Sequence, residues 1–293
     1  MSTTQWLWLL GVWLMFGVIF GYLGTLPLMR RREPDPADDP ANYGLPRQEV
    51  RFPARDGLEL GGWWIAAESP RGTVIVCPGQ NGSADKDVPQ TVPLHQAGFN
   101  VLLFDWRAHG RSQGEMVTLG ALEQADLLGA LDYAQQEHGA ERVGVLGLSM
   151  GAGVALMVAA QDERIAALVL DGAYPTLRGL LTNYLRLHGV PRRIGRAIMG
   201  TVLLMGSLRA GYLLLDVQPR KLARRVRVPT LFIHAERDEF ASAEEVEKLR
   251  TQIDAPAALW IAADCAHREA FCRHEEAYNR HVVGWFAEHL PSA

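Results

Sequence analysis

From residue 48 onward, short apolar runs alternate with longer amphipathic or small-residue stretches. The apolar runs predict strands near 48–53, 58–65, 73–77, 99–105, 142–147, 166–171, 228–234 and 257–262. The stretches between them predict helices near 85–97, 119–138, 150–161, 242–252 and 274–289. Regular alternation of strand and helix from residue 73 argues for an α/β class, a mostly parallel eight-stranded sheet flanked by helices on both faces. The first two strands are close enough to form an antiparallel hairpin. Residues 173–226 break the rhythm, because they lie between two strands and are far longer than a crossover needs. Their apolar groups are interleaved with Arg178, Arg186, Arg192, Arg193, Arg196 and Arg209. Such a segment could line an apolar pocket, lie against a bilayer, or pack on the core.

The amino-terminal pattern is different. No side chain from Met1 to Met29 is charged, and the apolar run from Trp6 to Met29 exceeds the roughly 20 residues a helix needs to cross a bilayer. Residues 1–29 therefore predict a single transmembrane anchor that meets the bilayer through residues 6–29. Trp6, Trp8 and Trp13 suit an interfacial aromatic belt. The basic start, shorter apolar region and small-residue cleavage site of a signal peptide are missing. Arg30-Arg31-Arg32 ends the run, and the positive-inside rule then places the globular body in the cytoplasm. Gly17 and Gly21 form a G-x-x-x-G that could pack two helices or be ordinary small-residue content. Residues 30–44 read as an Arg-rich, then Pro/acidic linker that builds neither helix nor core. Residues 45–293 are long enough for one large α/β domain.

Composition narrows the chemistry. A net charge of −4 gives no sign of nucleic-acid binding. Three cysteines imply no disulfide framework. No C-x-x-C, H-E-x-x-H or P-loop pattern appears, so no metal or cofactor is expected. Nothing in the pattern sets an oligomeric state.

The chemistry-bearing motif is Gly147-Leu148-Ser149-Met150-Gly151, set between the strand-like Val143–Leu146 and the helix-like Ala152–Ala160. A G-x-S-x-G at a strand-to-helix junction is the nucleophile-elbow pattern, in which a strained turn exposes the serine at a helix N-terminus. A serine hydroxyl needs a base, and the base needs an orienting acid. In chain order an acid and then a histidine come after the serine. Asp238 follows the strand Pro229–His234, and His267 follows the strand Ala257–Ala262. All three residues thus fall just past the carboxyl ends of predicted strands, where sites of open parallel sheets assemble. Glu236, Glu239 and Asp171 are other carboxylates at this edge, and Asp171 could replace Asp238. His234 lies inside a strand and reads as packing, and His274, His281 and His289 read as surface or packing residues of the last helix.

With these motifs the chain resembles the α/β-hydrolase superfamily over residues 45–290. It is similar in particular to serine hydrolases with an esterase, monoacylglycerol-lipase-like or aminopeptidase-like core. Two further stretches carry the resemblance. Val76-Cys77-Pro78-Gly79-Gln80-Asn81-Gly82 resembles the strand and oxyanion loop, with Pro78 where the family often has His. Asp105-Trp106-Arg107-Ala108-His109-Gly110-Arg111-Ser112 resembles the D-x-R-G-x-G-x-S loop, with Ala108 in place of a glycine. The resemblance implies an oxyanion hole from the backbone N–H groups of Gln80 and Met150, a bracing role for the 105–112 loop, and a cap or lid at 173–226. The expected protein is a membrane-anchored serine hydrolase that cleaves a carboxylic ester with an apolar acyl chain, on a small-molecule or lipid-like substrate. An amide or peptide hydrolase with the same triad, or a non-catalytic binding protein on this fold, are the alternatives.

Overall fold

The computed structural model describes residues 2–290, without the side chains at positions 3, 9, 10, 13 and 14. Eight strands, β1 (Arg47–Pro53), β2 (Glu59–Ile65), β3 (Gly72–Cys77), β4 (Phe99–Phe104), β5 (Val143–Leu148), β6 (Ile165–Asp171), β7 (Thr230–Ala235) and β8 (Ala257–Ala262), form one sheet in the order β1-β2-β4-β3-β5-β6-β7-β8. The helices are α1 (Thr3–Met29), α2 (Thr91–Gln96), α3 (Glu123–His138), α4 (Met150–Ala159), α5 (Leu177–Leu187), α6 (Arg192–Ala210), α7 (Pro219–Leu222), α8 (Ala243–Arg250), α9 (Ala270–Arg273) and α10 (Glu275–His289). The β1–β2 hairpin is antiparallel, as is the β2–β4 pair, and every later pair is parallel.

The central strands are buried on both faces because their apolar residues alternate between two cores. Ile75, Leu102, Val145 and Leu168 pack on one face with Leu127, Leu131 and Val154 from α3 and α4. Val74, Val76, Leu103 and Val169 pack on the other with Tyr278, Val282 and Phe286 from α10. The parallel register brings Cys77 opposite Gly147, and Leu148 opposite Asp171. The carboxyl ends of β3, β5 and β6 therefore lie on one edge.

Two helix boundaries differ from expectation for local reasons. The helix expected at 119 starts at Glu123, whose carboxylate accepts from the Thr118 and Gly120 N–H groups and the Thr118 hydroxyl. That leaves Leu119 and Gly120 as a loop with φ of 58° and 99°. The helix expected at 85–97 is divided into a 3-10 turn, Ala84–Gln90, and α2, because Pro89 lacks an N–H and disfavours helical geometry in the residue before it. Residues 173–226 fold as α5, α6, the one-turn α7 and two 3-10 turns, with Leu177, Leu181 and Leu203 packed into the first core.

The expected linker is not a free tether. Arg31 donates to the carbonyls of Gly110, Ser112 and Gly114. Asp35 and Ser83 exchange hydrogen bonds, and Pro40 is buried at the start of a 3-10 turn, Pro40–Tyr43. Prolines and acids build no core of their own, but extended backbone with exposed polar groups can dock on a body that offers partners.

The amino-terminal run forms one helix, and Gly21, Thr25 and Met29 line its buried stripe. A Cβ on Gly21 would sit 2.8 Å from Thr201, and one on Gly24 2.8 Å from Val202, so small residues let α1 approach α6 closely. Gly17 has nothing within 4 Å. Its G-x-x-x-G partner therefore packs within this chain. Trp8 and Phe16 are 74% and 61% exposed. Among the described residues no helix is long and apolar enough to cross a membrane. The expected transmembrane helix is left without support as an element of this fold, and the side chain of Trp13 lies outside the described residues.

Candidate active site

Strand β5 ends at Leu148 and α4 begins at Met150, so Ser149 alone makes the turn. Its φ of 53° and ψ of −109° lie where side chains are rarely tolerated, and such strain persists only when surrounding structure enforces it. The flanking glycines permit the turn. A Cβ on Gly147 would sit 2.6 Å from the Gly151 carbonyl oxygen, and one on Gly151 would run into the Cys77 carbonyl. The Ser149 N–H donates to the Asp171 carbonyl at 2.7 Å, which ties the elbow to β6.

The structure brings Ser149, His267 and Asp238 together across long separations in sequence. His267 Nε2 is 2.8 Å from Ser149 Oγ, and Nδ1 is 2.6 Å from Asp238 Oδ2. The carboxylate only accepts, so Nδ1 carries the hydrogen and Nε2 accepts from the hydroxyl. Asp238 Oδ1 accepts from the N–H groups of Phe240 at 2.8 Å and Ala241 at 3.1 Å. Burial pushes the Asp238 pKa upward, but the His267 hydrogen bond, the His267 charge and the Phe240 N–H outweigh it and hold the carboxyl below its ordinary value. Phe240 meets the His267 ring edge-on at 4.8 Å, and Gly172, with φ of 71°, leaves room for that ring.

The other carboxylates at this edge are otherwise engaged. Asp171 is buried and accepts from the Tyr278 hydroxyl at 3.1 Å, and burial raises its pKa. Glu236 accepts from the Asp264 N–H at 2.9 Å, and Glu239 from the His267 backbone N–H at 3.4 Å. His234 is buried and sits 3.9 Å from Asp238 Oδ2, where burial lowers its pKa and favours the neutral ring. This proximity was not legible in the sequence, which placed His234 only inside a strand. His274 bonds the Ala263 carbonyl, and His281 stacks on Trp260, both away from the triad.

A cavity of about 480 Å³ opens in front of Ser149, with Gln80, Leu119, Met150, Tyr174, Leu177 and Phe240 in its wall. Gln80 and Met150 both border it, and among the described residues neither backbone N–H donates to a protein acceptor. The loop bearing Gln80 is held from behind. The His109 ring spans the carbonyls of Gln80 at 2.6 Å and Arg107 at 2.8 Å, and Trp106 Nε1 donates to the Pro78 carbonyl. Asp105 accepts from the Ala84 and Arg111 N–H groups, and Ser112 Oγ donates to the Asp105 carbonyl. The resemblance implied a loop that braces the sheet edge, and in the structure the 105–112 loop holds the Gln80 loop. Only the folded chain reveals that contact. Among the described residues no group of three His, Cys, Asp or Glu is placed to hold a metal ion.

This arrangement of elbow, base, acid and paired free N–H groups meets the geometric needs of acyl transfer. A family model described as the alpha/beta hydrolase fold matches residues 72–197, which include the elbow and the 105–112 loop. The chain has the α/β-hydrolase fold. It is 25% identical over 246 residues to the uncharacterized protein YqkD of Bacillus subtilis, covering 82% of this chain and 80% of YqkD. An esterase from Pyrococcus furiosus superposes with a TM-score of 0.77 at 24% identity, covering 89% of this chain and 98% of the esterase. An esterase from Exiguobacterium antarcticum superposes with a TM-score of 0.62 at 19% identity, over 82% of this chain and all of the esterase.

Proposed function

We propose that this protein is a serine hydrolase that cleaves carboxylic esters with an apolar acyl group, anchored at a bilayer by residues 6–29. The observation that carries the reading is the continuous hydrogen-bonded chain Ser149–His267–Asp238 opening on a cavity walled by Leu119, Tyr174, Leu177 and Phe240. Ser149 Oγ attacks the ester carbonyl while His267 Nε2 takes its proton. The N–H groups of Met150 and Gln80 receive the oxyanion, and such preorganised donors contribute about 2.7–4 kcal/mol each. Collapse of the tetrahedral adduct releases the alcohol, which leaves with the proton from His267. Water then attacks the acyl-enzyme with His267 as base and frees the acid. The similarity to two esterases supports a hydrolase of this kind.

The membrane reading is supported by the uncharged run from Met1 to Met29 and by the exposure of Trp6, Trp8, Met15, Phe16 and Phe20 on a helix that projects from its seam with α6. Arg30 and the many cations of the cap favour a cytoplasmic body.

Ser149→Ala should remove labelling by a fluorophosphonate probe and hydrolysis of p-nitrophenyl esters while leaving the fold intact. Labelling that persists on the folded variant would refute the nucleophile. High-pH carbonate should leave the full-length chain in the membrane pellet. Release into the supernatant would remove the anchor, and protection of the body from protease added at the cytoplasmic face would reverse the topology.

A further inference from the structure

A second cavity, of about 330 Å³, lies in the cap on the far side of α5 from the triad. Leu177 and Leu180 face the catalytic cavity, while Thr176 and Arg178 face this one. Its wall also carries Arg192, Arg196, Arg220 and Glu245. Elsewhere in the molecule some guanidinium groups meet carboxylates, as Arg107, Arg111, Arg164 and Arg268 do, and others bond carbonyls or a hydroxyl, as Arg31 and Arg209 do. Among the described residues none of the four cavity arginines has a carboxylate within 4.0 Å. Glu245, the one acid on the wall, already accepts from the Ser242 N–H and hydroxyl.

Composition sharpens the contrast. Residues 173–226 contain ten Lys and Arg and a single acid, Asp216, in a chain whose net charge is −4. Asp216 pairs with Lys221 and not with the cavity. Arg178 is held in place, with Nε and Nη2 donating to the Arg196 carbonyl at 3.1 and 2.7 Å. Arg192 and Arg196 are one turn apart on α6, an arrangement that is repulsive unless an anion lies between them. We infer that this cavity is a binding site for a phosphate group, gripped by Arg178, Arg192, Arg196 and Arg220. Planar guanidinium forks match phosphate oxygens in pairs, and four of them exceed what a single carboxylate can satisfy.

The surroundings indicate a phosphate that comes from a lipid. Along the α1–α6 seam, Gly21 meets Thr201, Gly24 meets Val202, and Met29 meets Gly206. Sequence numbers rise together, so the helices run parallel. The start of α6, with Arg192 and Arg196, therefore points the same way as the exposed apolar stretch of α1. Leu187 and Ile194, at the turn into α6, are 53% and 55% exposed beside those arginines. A bilayer entered by the part of α1 ahead of its seam with α6 would present its headgroup phosphates on this side. A soluble phosphate ester offers the same chemistry without that surface.

The test uses the full-length chain in a non-ionic detergent and calorimetric titration with inorganic phosphate, glycerol 3-phosphate, dihexanoyl phosphatidate and dihexanoyl phosphatidylcholine. Saturable binding of at least one phosphomonoester is expected, weakened by salt and reduced about tenfold or more by Arg192→Gln with Arg196→Gln. Arg224→Gln with Arg225→Gln removes the same charge outside the cavity and should leave binding unchanged. Tighter binding of the phosphatidate than of glycerol 3-phosphate identifies a lipid headgroup, and the reverse identifies a soluble ester. If the double variant at α6 does not fold, Arg220→Gln and Arg196→Lys, checked by an unaltered unfolding temperature, should each weaken binding. No saturable binding by any phosphomonoester, or equal losses from the two charge-matched double variants, would overturn the site. Because Ser149 plays no part in binding, a negative result here leaves the hydrolase reading standing.

Discussion

Asp238 is the residue whose surroundings say most about its task. It accepts from His267 and from two backbone N–H groups, and its pKa is held below the ordinary value, so it stays charged wherever His267 can act as a base. An amide side chain could keep the shape but would favour the wrong imidazole tautomer. Asp238→Asn should therefore lower kcat by about 10³–10⁴, by analogy with a serine protease triad. Steady-state kinetics on the folded variant checks this. Near-normal turnover would transfer the role to another carboxylate, and Asp171 is the first to try.

At the scale of elements, the 105–112 loop is fastened through Arg107. Its guanidinium donates to Asp126 at 2.6 and 2.9 Å and to Asp56 at 2.8 and 3.0 Å, with Asp126 fully buried. Removing one partner of a buried pair strands the other charge away from water. Arg107→Met should cost about 3–5 kcal/mol in denaturant unfolding. Replacement of the half-exposed Arg55, which pairs with Asp132, should cost about 1 kcal/mol or less. Comparable losses at the two sites would mean that Asp126 finds water or a proton when Arg107 is gone. The Gln80 carbonyl hangs from the same loop through His109, so activity of the surviving Arg107→Met protein should fall with its stability.

For the whole molecule, the arrangement of helix, strap and cap is the least expected feature. The 30–44 segment is bound to the body, and α1 rests on α6, so the amino-terminal region and the cap form one unit. An ideal Cβ on Gly24 would lie 3.8 Å from the Val202 Cβ, which matches the mean separation across a disulfide. Gly24→Cys with Val202→Cys should therefore crosslink intramolecularly under mild oxidation, seen as a mobility shift on a non-reducing gel. The pair Gly17→Cys with Val202→Cys should not, because Gly17 has no neighbour within 4 Å. Failure of the first pair to form would detach α1 from the cap and remove the geometric link between the cap arginines and a bilayer.

Strand positions, the parallel class, the elbow at Ser149 and the order Ser149, Asp238, His267 were legible along the chain. Each is written in local patterns: apolar runs of strand length, glycines around one serine, and polar residues just past strand ends. Tertiary structure alone shows where Asp171, left open along the chain as a substitute acid, is engaged, because only packing gives it to Tyr278. The same holds for the docking of the 30–44 strap, whose partners lie near residues 83 and 110–114, and for the boundary at Glu123, which depends on one side chain turning back. Along the chain the cap arginines were an interleaved pattern with three possible uses. Folding gathers four of them around one cavity, and it sets Gly21 and Gly24 against α6. Sequence by itself determined the periodic and the adjacent, since these arise from backbone geometry and near neighbours. Pairings between distant segments were decided by the tertiary structure, where burial and unpaired charge compare partners that the chain does not place side by side.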